Sequence, residues 1–170
     1  MQEQDEWLDV VDQENNVIGG APRKGIHGNA NTPMHRAVHI FLMDSKGRLW
    51  IEKRGPNVDT CPLYYDCSAA GHVAKGETYE QAAEREAVEE LGINGLKFRY
   101  AFDLPASEMT MNEFQRFFVA KSDEKPRLHE DAYSQELYTI SEIEEKMKRG
   151  EKFTPTFAKF LAWCKENMMG

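Results

Sequence analysis

Short segments of the chain alternate between apolar and polar residues, which is the pattern of β-strands with one buried face. Turn residues at 13–16 and 45–47 each separate two of these segments, and both pairs predict β-hairpins. Residues 23–33 are rich in Gly, Asn and Pro and predict a loop. The predicted strands cover residues 7–12, 17–21, 36–44, 49–54, 65–70, 96–103, 112–121 and 135–140.

Three other segments carry helix signals, either capping residues or apolar residues that recur with the helical period of about 3.6. The clearest predicted helix covers residues 79–91. Thr78 and Gln81 form a capping-box pattern at its start, and Gly92 is suited to end it in a left-handed turn. Two further helices are predicted at residues 141–149, opened by Ser141 and Glu144, and after Pro155, where Phe157, Phe160, Leu161 and Cys164 form an apolar stripe. Many strands and few helices predict an α/β (α+β) fold in which helices flank a mixed β-sheet.

Length and composition predict a single globular domain spanning residues 1–170. The hydrophobic fraction of 41% suffices for a core, and the net charge of −8 disfavours a nucleic-acid partner, whose phosphates the surface would repel. No apolar run is long enough to span a bilayer, and the acidic start of the chain is unlike a secretory leader. We therefore expect a cytoplasmic monomer or homodimer with no membrane partner. The cysteines, Cys61, Cys67 and Cys164, lack metal-binding spacing and predict reduced thiols.

The predicted helix at 79–91 carries three acids near its end. Glu86, Glu89 and Glu90 stand at i, i+3 and i+4, so their carboxylates share one side of a helix. Like charges at this spacing cost about 0.2–0.5 kcal/mol per exposed pair, and the helix dipole disfavours anions at a C-terminus. A Mg²⁺ or Mn²⁺ ion would turn this repulsion into binding. The alternative is a solvated acidic face paired with Arg85 and Lys75.

Residues 71–93 resemble the Nudix box, G-x5-E-x7-R-E-U-x-E-E-x-G-U, in which U is a bulky aliphatic residue. The matching residues are Gly71, Glu77, Arg85, Glu86, Glu89, Glu90, Gly92 and Ile93. Ala87 is small for the first aliphatic position. The resemblance implies a Nudix-type α/β/α sandwich and a diphosphohydrolase (pyrophosphatase) that uses a divalent metal and attacks phosphorus with water. The substrate would be a nucleoside diphosphate linked to a second group, or a related small diphosphate.

The resemblance also implies roles for the box residues. The Mg²⁺ (or Mn²⁺) ligands would be Glu86, Glu89, Glu90 and the carbonyl group of Gly71. Glu77 and Arg85 would pair and brace the loop against the helix. The general base would be a glutamate of the helix, such as Glu89, or one from another strand, for which Glu113 is our candidate. The alternative for Glu113 is an exposed strand residue.

Outside the box the chain resembles the isopentenyl-diphosphate isomerase branch of the same superfamily. The resemblance rests on residues 34–38, residues 68–72 and the Asn112-Glu113 pair before an aromatic strand. It implies a second metal or substrate shell of His27, His35 and His72 with Glu113, and diphosphate binding by Arg23 and Arg54. Each histidine alone is more often a surface or hydrogen-bonded residue, and we assign His39 a structural role.

Isomerase activity is the alternative function, and two positions argue against it. The isomerase needs a proton-carrying cysteine where this chain has Ala70, and a tryptophan where it has Thr156. Cys67 lies three residues before Ala70 and is expected on the opposite face of the strand. A non-catalytic ligand-binding module is a second alternative, which the intact box disfavours.

Substrate specificity is expected to come from the loops rather than from the box. These loops are residues 23–33, 55–63 and 103–111. Met109 and Met111 in the last loop are adaptable apolar residues that could contact a base or an isoprenoid chain, the alternative being ordinary loop residues.

Overall fold

The computed structural model of the chain describes residues 6–26 and 32–168, so His27 lies outside the described residues. Within these ranges the strands are β1 (Trp7–Val11), β2 (Val17–Pro22), β3 (His35–Met43), β4 (Leu49–Arg54), β5 (Tyr65–Asp66), β6 (Ala69–His72), β7 (Phe98–Leu104), β8 (Glu113–Lys121) and β9 (Ala132–Tyr138). The helices are α1 (Arg23–Ile26), α2 (Tyr79–Glu86), α3 (Ile140–Lys148) and α4 (Phe157–Asn167), and a π-helical turn (Ala87–Leu91) continues α2. No helix in the described ranges is long and apolar enough to cross a membrane.

Strand β3 is the centre of the main sheet. It pairs in parallel with β8 along its whole length, from His35 opposite Glu113 to Met43 opposite Lys121. On its other side it pairs antiparallel with β6, and Ala37 stands opposite His72. Strands β1 and β2 form a separate antiparallel pair. The register of β3 with β6 and β8 brings the two histidines and Glu113 to one edge of the sheet.

Two apolar clusters cover the two faces of this sheet. One cluster lies between the sheet and α4 and includes Phe41, Ile51, Phe117, Phe157 and Phe160. The other lies under α2 and the π-helical turn and includes Val38, Ile40, Ala83, Ala87 and Leu91. Because both faces are covered, β3 is buried along nearly its whole length. The predicted mixed sheet flanked by helices is thus confirmed.

Two strand predictions need correction. The hairpin of β3 and β4 pairs only at Met43 and Leu49, after which β4 pairs with β9 and β5 instead. The single strand predicted at 65–70 is divided into β5 and β6. At the division, the hydroxyl of Ser68 accepts a hydrogen bond from Leu42 N at 2.7 Å and donates one to Trp50 O at 2.6 Å. A buried side chain thus takes the place of ladder hydrogen bonds.

The break between β5 and β6 also corrects the expected direction of Cys67. We expected Cys67 and Ala70 to point to opposite faces, but both contact the cluster around Phe41. Strict alternation holds only within a continuous strand, and the break at Ser68 resets it. All three cysteines are free thiols.

Helix boundaries differ from the prediction at two places. The N-cap of helix α3 lies two residues early, because Thr139 and Glu142 form the capping box rather than Ser141 and Glu144. Both pairs satisfy the same pattern. The loop predicted at 23–33 begins with the single helical turn of α1, whose Ile26 is fully buried.

We expect Ser68→Ala to lower the free energy of unfolding by about 1–3 kcal/mol, because it leaves a buried N–H and a buried carbonyl without their partner. Chemical denaturation with far-UV circular dichroism would measure this. The control is Ser141→Ala on an exposed position of α3, where surface substitutions change stability by less than about 0.5 kcal/mol. Equal stability of the two variants would contradict the assigned role of Ser68.

Candidate metal and diphosphate site

The helix that carries the box acids changes its winding where the acids begin. The capping box of Thr78 and Gln81 opens α2, and α-helical geometry ends at Glu86. The π-helical turn follows and ends at Gly92, whose φ of 70° is left-handed. Such π-helical turns are frequent at functional sites, since they redirect side chains.

The three acids differ in their surroundings. The carboxylate of Glu90 accepts a hydrogen bond from the backbone N–H of Ala70 at 3.0 Å. Glu86 is buried and lies directly against Gly71, where an added Cβ would collide with its carboxylate. Glu89 is instead 58% exposed. Glu86 and Glu90 therefore lie against β6, whereas Glu89 reaches solvent and shares Arg85 with Glu86.

Arg85 connects the acids to the loop that precedes the helix. Its guanidinium donates to both carboxylate oxygens of Glu77 at 3.0 Å and to the backbone oxygen of His72 at 2.8 Å. It also contacts Glu86 at 2.6 Å and Glu89 at 3.3 Å. Glu77 in turn accepts from a loop N–H, that of Ala74, at 2.9 Å. Loop, helix and strand are thereby joined through one side chain.

The two acids that face β6 have raised pKa values. Burial, with neighbouring carboxylates adding to it, raises the pKa of Glu86 to about 7 and that of Glu90 to about 8. Arg85 opposes the shift at Glu86 without cancelling it. Buried carboxylates that resist ionisation are a suitable set for a divalent cation, which favours their charged form.

A further acid, Glu52, belongs to the same region and was missed in the sequence. Glu52 stands opposite Asp66 across β4 and β5, and burial beside Asp66 raises its pKa to about 7. Both acids also raise the pKa of Glu90. Strand alternation could have identified Glu52, because it lies on the same face of β4 as Arg54, which we had predicted to bind the diphosphate.

Of the two arginines expected to hold the diphosphate, only Arg54 contacts these acids within the described residues. Arg54 contacts the carboxylate of Asp66 at 3.4 Å and the carbonyl oxygen of Thr60 at 3.0 Å. Arg23 is 59% exposed and pairs with Glu6 at 3.5 Å, and the charge of Glu6 contributes to the raised pKa of Glu86. Arg54 therefore contacts an acid of this region directly, whereas the contact of Arg23 is with Glu6.

The loop before the helix is also held from the N-terminal strand pair. The buried carboxylate of Asp9 accepts from the backbone N–H of Gly76 at 3.0 Å, where the loop turns with a φ of 76°. The backbone N–H of Lys75 donates to Trp7 O at 2.7 Å. Nothing in the local sequence distinguished Asp9, which stands in the middle of a predicted strand.

His35, His72 and Glu113 come together on the face of the sheet opposite the helix. Their ligand atoms lie within 4.8 Å of one another. The Nε2 atoms of His35 and His72 are 3.4 Å and 3.3 Å from the same carboxylate oxygen of Glu113. Glu113 is buried, so the alternative of an exposed strand residue is wrong.

The hydrogen bonds of this cluster restrict where its protons are. His35 Nδ1 lies 2.9 Å from the carbonyl oxygen of Pro33, which only accepts, so Nδ1 carries a hydrogen. The Nε2 atom of His35 faces the Glu113 carboxylate, and this contact requires a proton or a metal ion between the two atoms. Metal-binding histidines commonly donate their other N–H to a backbone carbonyl in this way.

The pKa of Glu113 reflects the same contacts. Burial alone raises it, but hydrogen bonds from His35, His72 and Gln115 outweigh burial and hold the pKa well below its ordinary value. Glu113 is therefore ionised at neutral pH. This is the state required of a metal ligand, whereas a general base works best with a pKa near the operating pH.

Comparisons with known proteins agree with this geometry. Residues 33–164 match the family model described as the NUDIX domain. The Nudix hydrolase YfcD of Escherichia coli is 33% identical over 163 residues, which cover 95% of this chain and 88% of YfcD. A Nudix hydrolase of Deinococcus radiodurans is 31% identical over 163 residues, covering 94% of each chain.

A solved structure gives the same result for the fold. The crystal structure of DR0079 from Deinococcus radiodurans superimposes with a TM-score of 0.80 at 30% identity, covering 94% of this chain and 99% of DR0079. The family model matches most of the chain, and the relatives are more than 30% identical over nearly all of it. The chain therefore belongs to the Nudix family and is a diphosphohydrolase.

Proposed function

We propose that this enzyme hydrolyses a nucleoside diphosphate linked to a second group, or a related small diphosphate, with Mg²⁺ (or Mn²⁺) as its cofactor. The observation that carries the proposal is the convergence of Glu86 and Glu90 on the backbone of Ala70 and Gly71. We further propose that residues 1–170 act as one domain, since the strand pair β1–β2 contacts the box loop through Asp9.

The residues present fit a hard divalent ion. We assign its ligands to Glu86, Glu89, Glu90 and the carbonyl group of Gly71, all of which are oxygen donors. A bound ion would neutralise phosphate oxygens and lower the pKa of the attacking water. The absence of a Cβ at Gly71 lets the carboxylate of Glu86 approach the backbone closely. Arg85 and Glu77 hold the helix and the loop at this separation.

The protein's own cations complete the binding of the diphosphate. We propose that Arg23 and Arg54 bind phosphate oxygens, because planar guanidinium groups pair with them in a bidentate manner. Arg23 is exposed enough to exchange Glu6 for a phosphate group. Arg54 is anchored by Asp66 and Thr60 and would bind with little loss of conformational freedom.

Glu89 is the stronger candidate for the general base. Its side chain is 58% exposed and water can reach it, while Arg85 at 3.3 Å limits its orientation. Glu113 is buried and its pKa is held below the ordinary value, so it is a weak base. We therefore propose that Glu113 acts with His35, His72 and His27 as a second metal or substrate shell.

This second shell favours a pocket whose surrounding residues resemble those of the isomerases. The cluster of His35, His72 and Glu113 supports this proposal, because the resemblance implied a shell made of these residues. At Ala70, however, the side chain is a methyl group, which carries no transferable proton. We propose that the enzyme has an isomerase-like pocket and catalyses hydrolysis.

We expect Glu90→Gln to lower kcat by more than about 100-fold, because changes to outer-shell partners of metal ligands already cost about 10–100-fold. Steady-state hydrolysis of nucleoside and isoprenoid diphosphates in Mg²⁺ would measure this. The control is Glu84→Gln, an exposed position on the same helix, which should retain activity. Full activity of Glu90→Gln would show that the helix is not the metal site.

The raised pKa values predict that Mg²⁺ binding depends on pH. Below about pH 7 both Glu86 and Glu90 hold protons that the ion must displace, so the affinity should increase from about pH 6 to about pH 9. Titration calorimetry in buffers of different ionisation enthalpy would show the released protons. In Glu90→Gln the increase should be smaller. An affinity that stays constant over this range would contradict the proposed ligands.

Incubation with isopentenyl diphosphate separates hydrolysis from isomerisation. We expect no conversion to the allylic isomer, since Ala70 provides no acid, and expect cleavage products from members of a diphosphate panel in Mg²⁺ or Mn²⁺. Proton and phosphorus NMR would follow both reactions in one sample. Formation of the isomer would overturn the preference for hydrolysis, and tight binding without turnover would favour a binding module.

A further inference from the structure

A second group of metal-ligating side chains lies where β5 ends, with Cys67 and His39 on the side of the sheet that α4 covers. It consists of His39, Asp66 and Cys67, whose ligand atoms all lie within 4.8 Å of one another. No sequence motif indicates this group, because the three residues come from β3, β5 and the break between β5 and β6. We had assigned His39 a structural role, and the mechanism above uses neither His39 nor Cys67.

The separation of the sulphur and nitrogen atoms fits one particular kind of ion. Cys67 Sγ is 3.5 Å from His39 Nδ1. A tetrahedral Zn²⁺ with Zn–S of about 2.3 Å and Zn–N of about 2.0–2.1 Å separates these two ligands by about 3.5–3.6 Å. The two atoms are therefore already spaced as two ligands of one ion.

The surroundings hold each ligand in place. The ring of His39 stacks on Phe117 with a centroid separation of 4.8 Å and an interplanar angle of 14°. One carboxylate oxygen of Asp66 accepts from Cys67 N at 2.8 Å and from the hydroxyl of Thr154 at 3.0 Å. The other oxygen of Asp66 contacts Arg54 at 3.4 Å. Ligands fixed in this way lose little conformational entropy when an ion binds.

We propose that His39, Asp66 and Cys67 form a site for a thiophilic divalent ion of the Zn²⁺ type. Thiolate, imidazole and carboxylate are the ligands that Zn²⁺ takes in proteins, and a water molecule would complete the tetrahedron. On binding, the Cys67 thiol loses its proton to solvent and its sulphur forms the bond to the ion. The carboxylates of the box helix offer oxygen alone, so the two sites select different ions.

Cobalt is a suitable probe, because Co²⁺ takes the geometry of Zn²⁺ and a thiolate ligand adds a charge-transfer band in the near ultraviolet. The experiment is a Co²⁺ titration of the reduced full-length chain without oxygen, with Mg²⁺ in excess. Oxygen ligands do not produce this band, so Co²⁺ at the box helix cannot mimic the result. We expect the band to saturate at one ion per chain and to be displaced by Zn²⁺.

The chain provides matched controls in its other thiols. Cys67→Ser should abolish the band, whereas Cys164→Ser, at a buried cysteine outside the cluster, and Cys61→Ser should retain it. His39→Gln should weaken Co²⁺ binding at least tenfold. Circular dichroism would check that each variant folds.

Two results would overturn the proposal. One is the absence of a thiolate band in the unaltered chain, which needs no variant to interpret. The other is a band that persists at full intensity in Cys67→Ser. Calorimetry of Zn²⁺ binding gives a separate check on the unaltered chain, because binding should release the thiol proton, and binding without proton release would also contradict the proposal.

Discussion

The contacts of the Arg85 guanidinium are the interaction on which the rest of the site depends. This one side chain binds Glu77, Glu86 and the backbone of His72 at 2.6–3.0 Å. Without it, several carboxylates would lie close together in a partly buried region, where an unpaired charge is costly. The hydrogen bonds with Glu77 raise the pKa of Arg85 further, so its charge is permanent. The loop, the helix and β6 therefore hold fixed positions before any ion or substrate arrives.

The close approach of helix and strand explains the small residues of this region. Glu86 occupies the space that a Cβ would need at Gly71, so only glycine fits there. Ala82, Ala83 and Ala87 are fully buried on the facing side of the helix. Ala87 is small for its position in the box pattern, and its burial at the start of the π-helical turn, against the sheet, is consistent with a small residue there. The small residues, like the ion pairs of Arg85, thus hold the helix close to β6.

The sequence predicted the parts of the site that depend on local spacing and not those that depend on tertiary pairing. The positions of Glu86 and Glu90 follow from one helix and its caps. Glu52 joins them only because β4 pairs with β5, and Glu113 is buried only because β3 and β8 pair in parallel. Such non-local registers cannot be read from a single strand. The same limit led us to expect Cys67 on the wrong face, since a buried hydroxyl at Ser68 interrupts the strand.

Strand alternation in β6 gives the site its two sides. Gly71 faces the carboxylates of the helix, whereas the next residue, His72, points to the opposite face and meets Glu113. Ala70 contributes to both sides in different ways, because its backbone N–H binds Glu90 while its methyl group packs towards the other cluster. At the position where an isomerase would need an acid, this chain therefore offers only a backbone N–H, which orients the carboxylate that we propose as a metal ligand. That contribution suits attack on phosphorus and gives a carbon centre no proton to exchange.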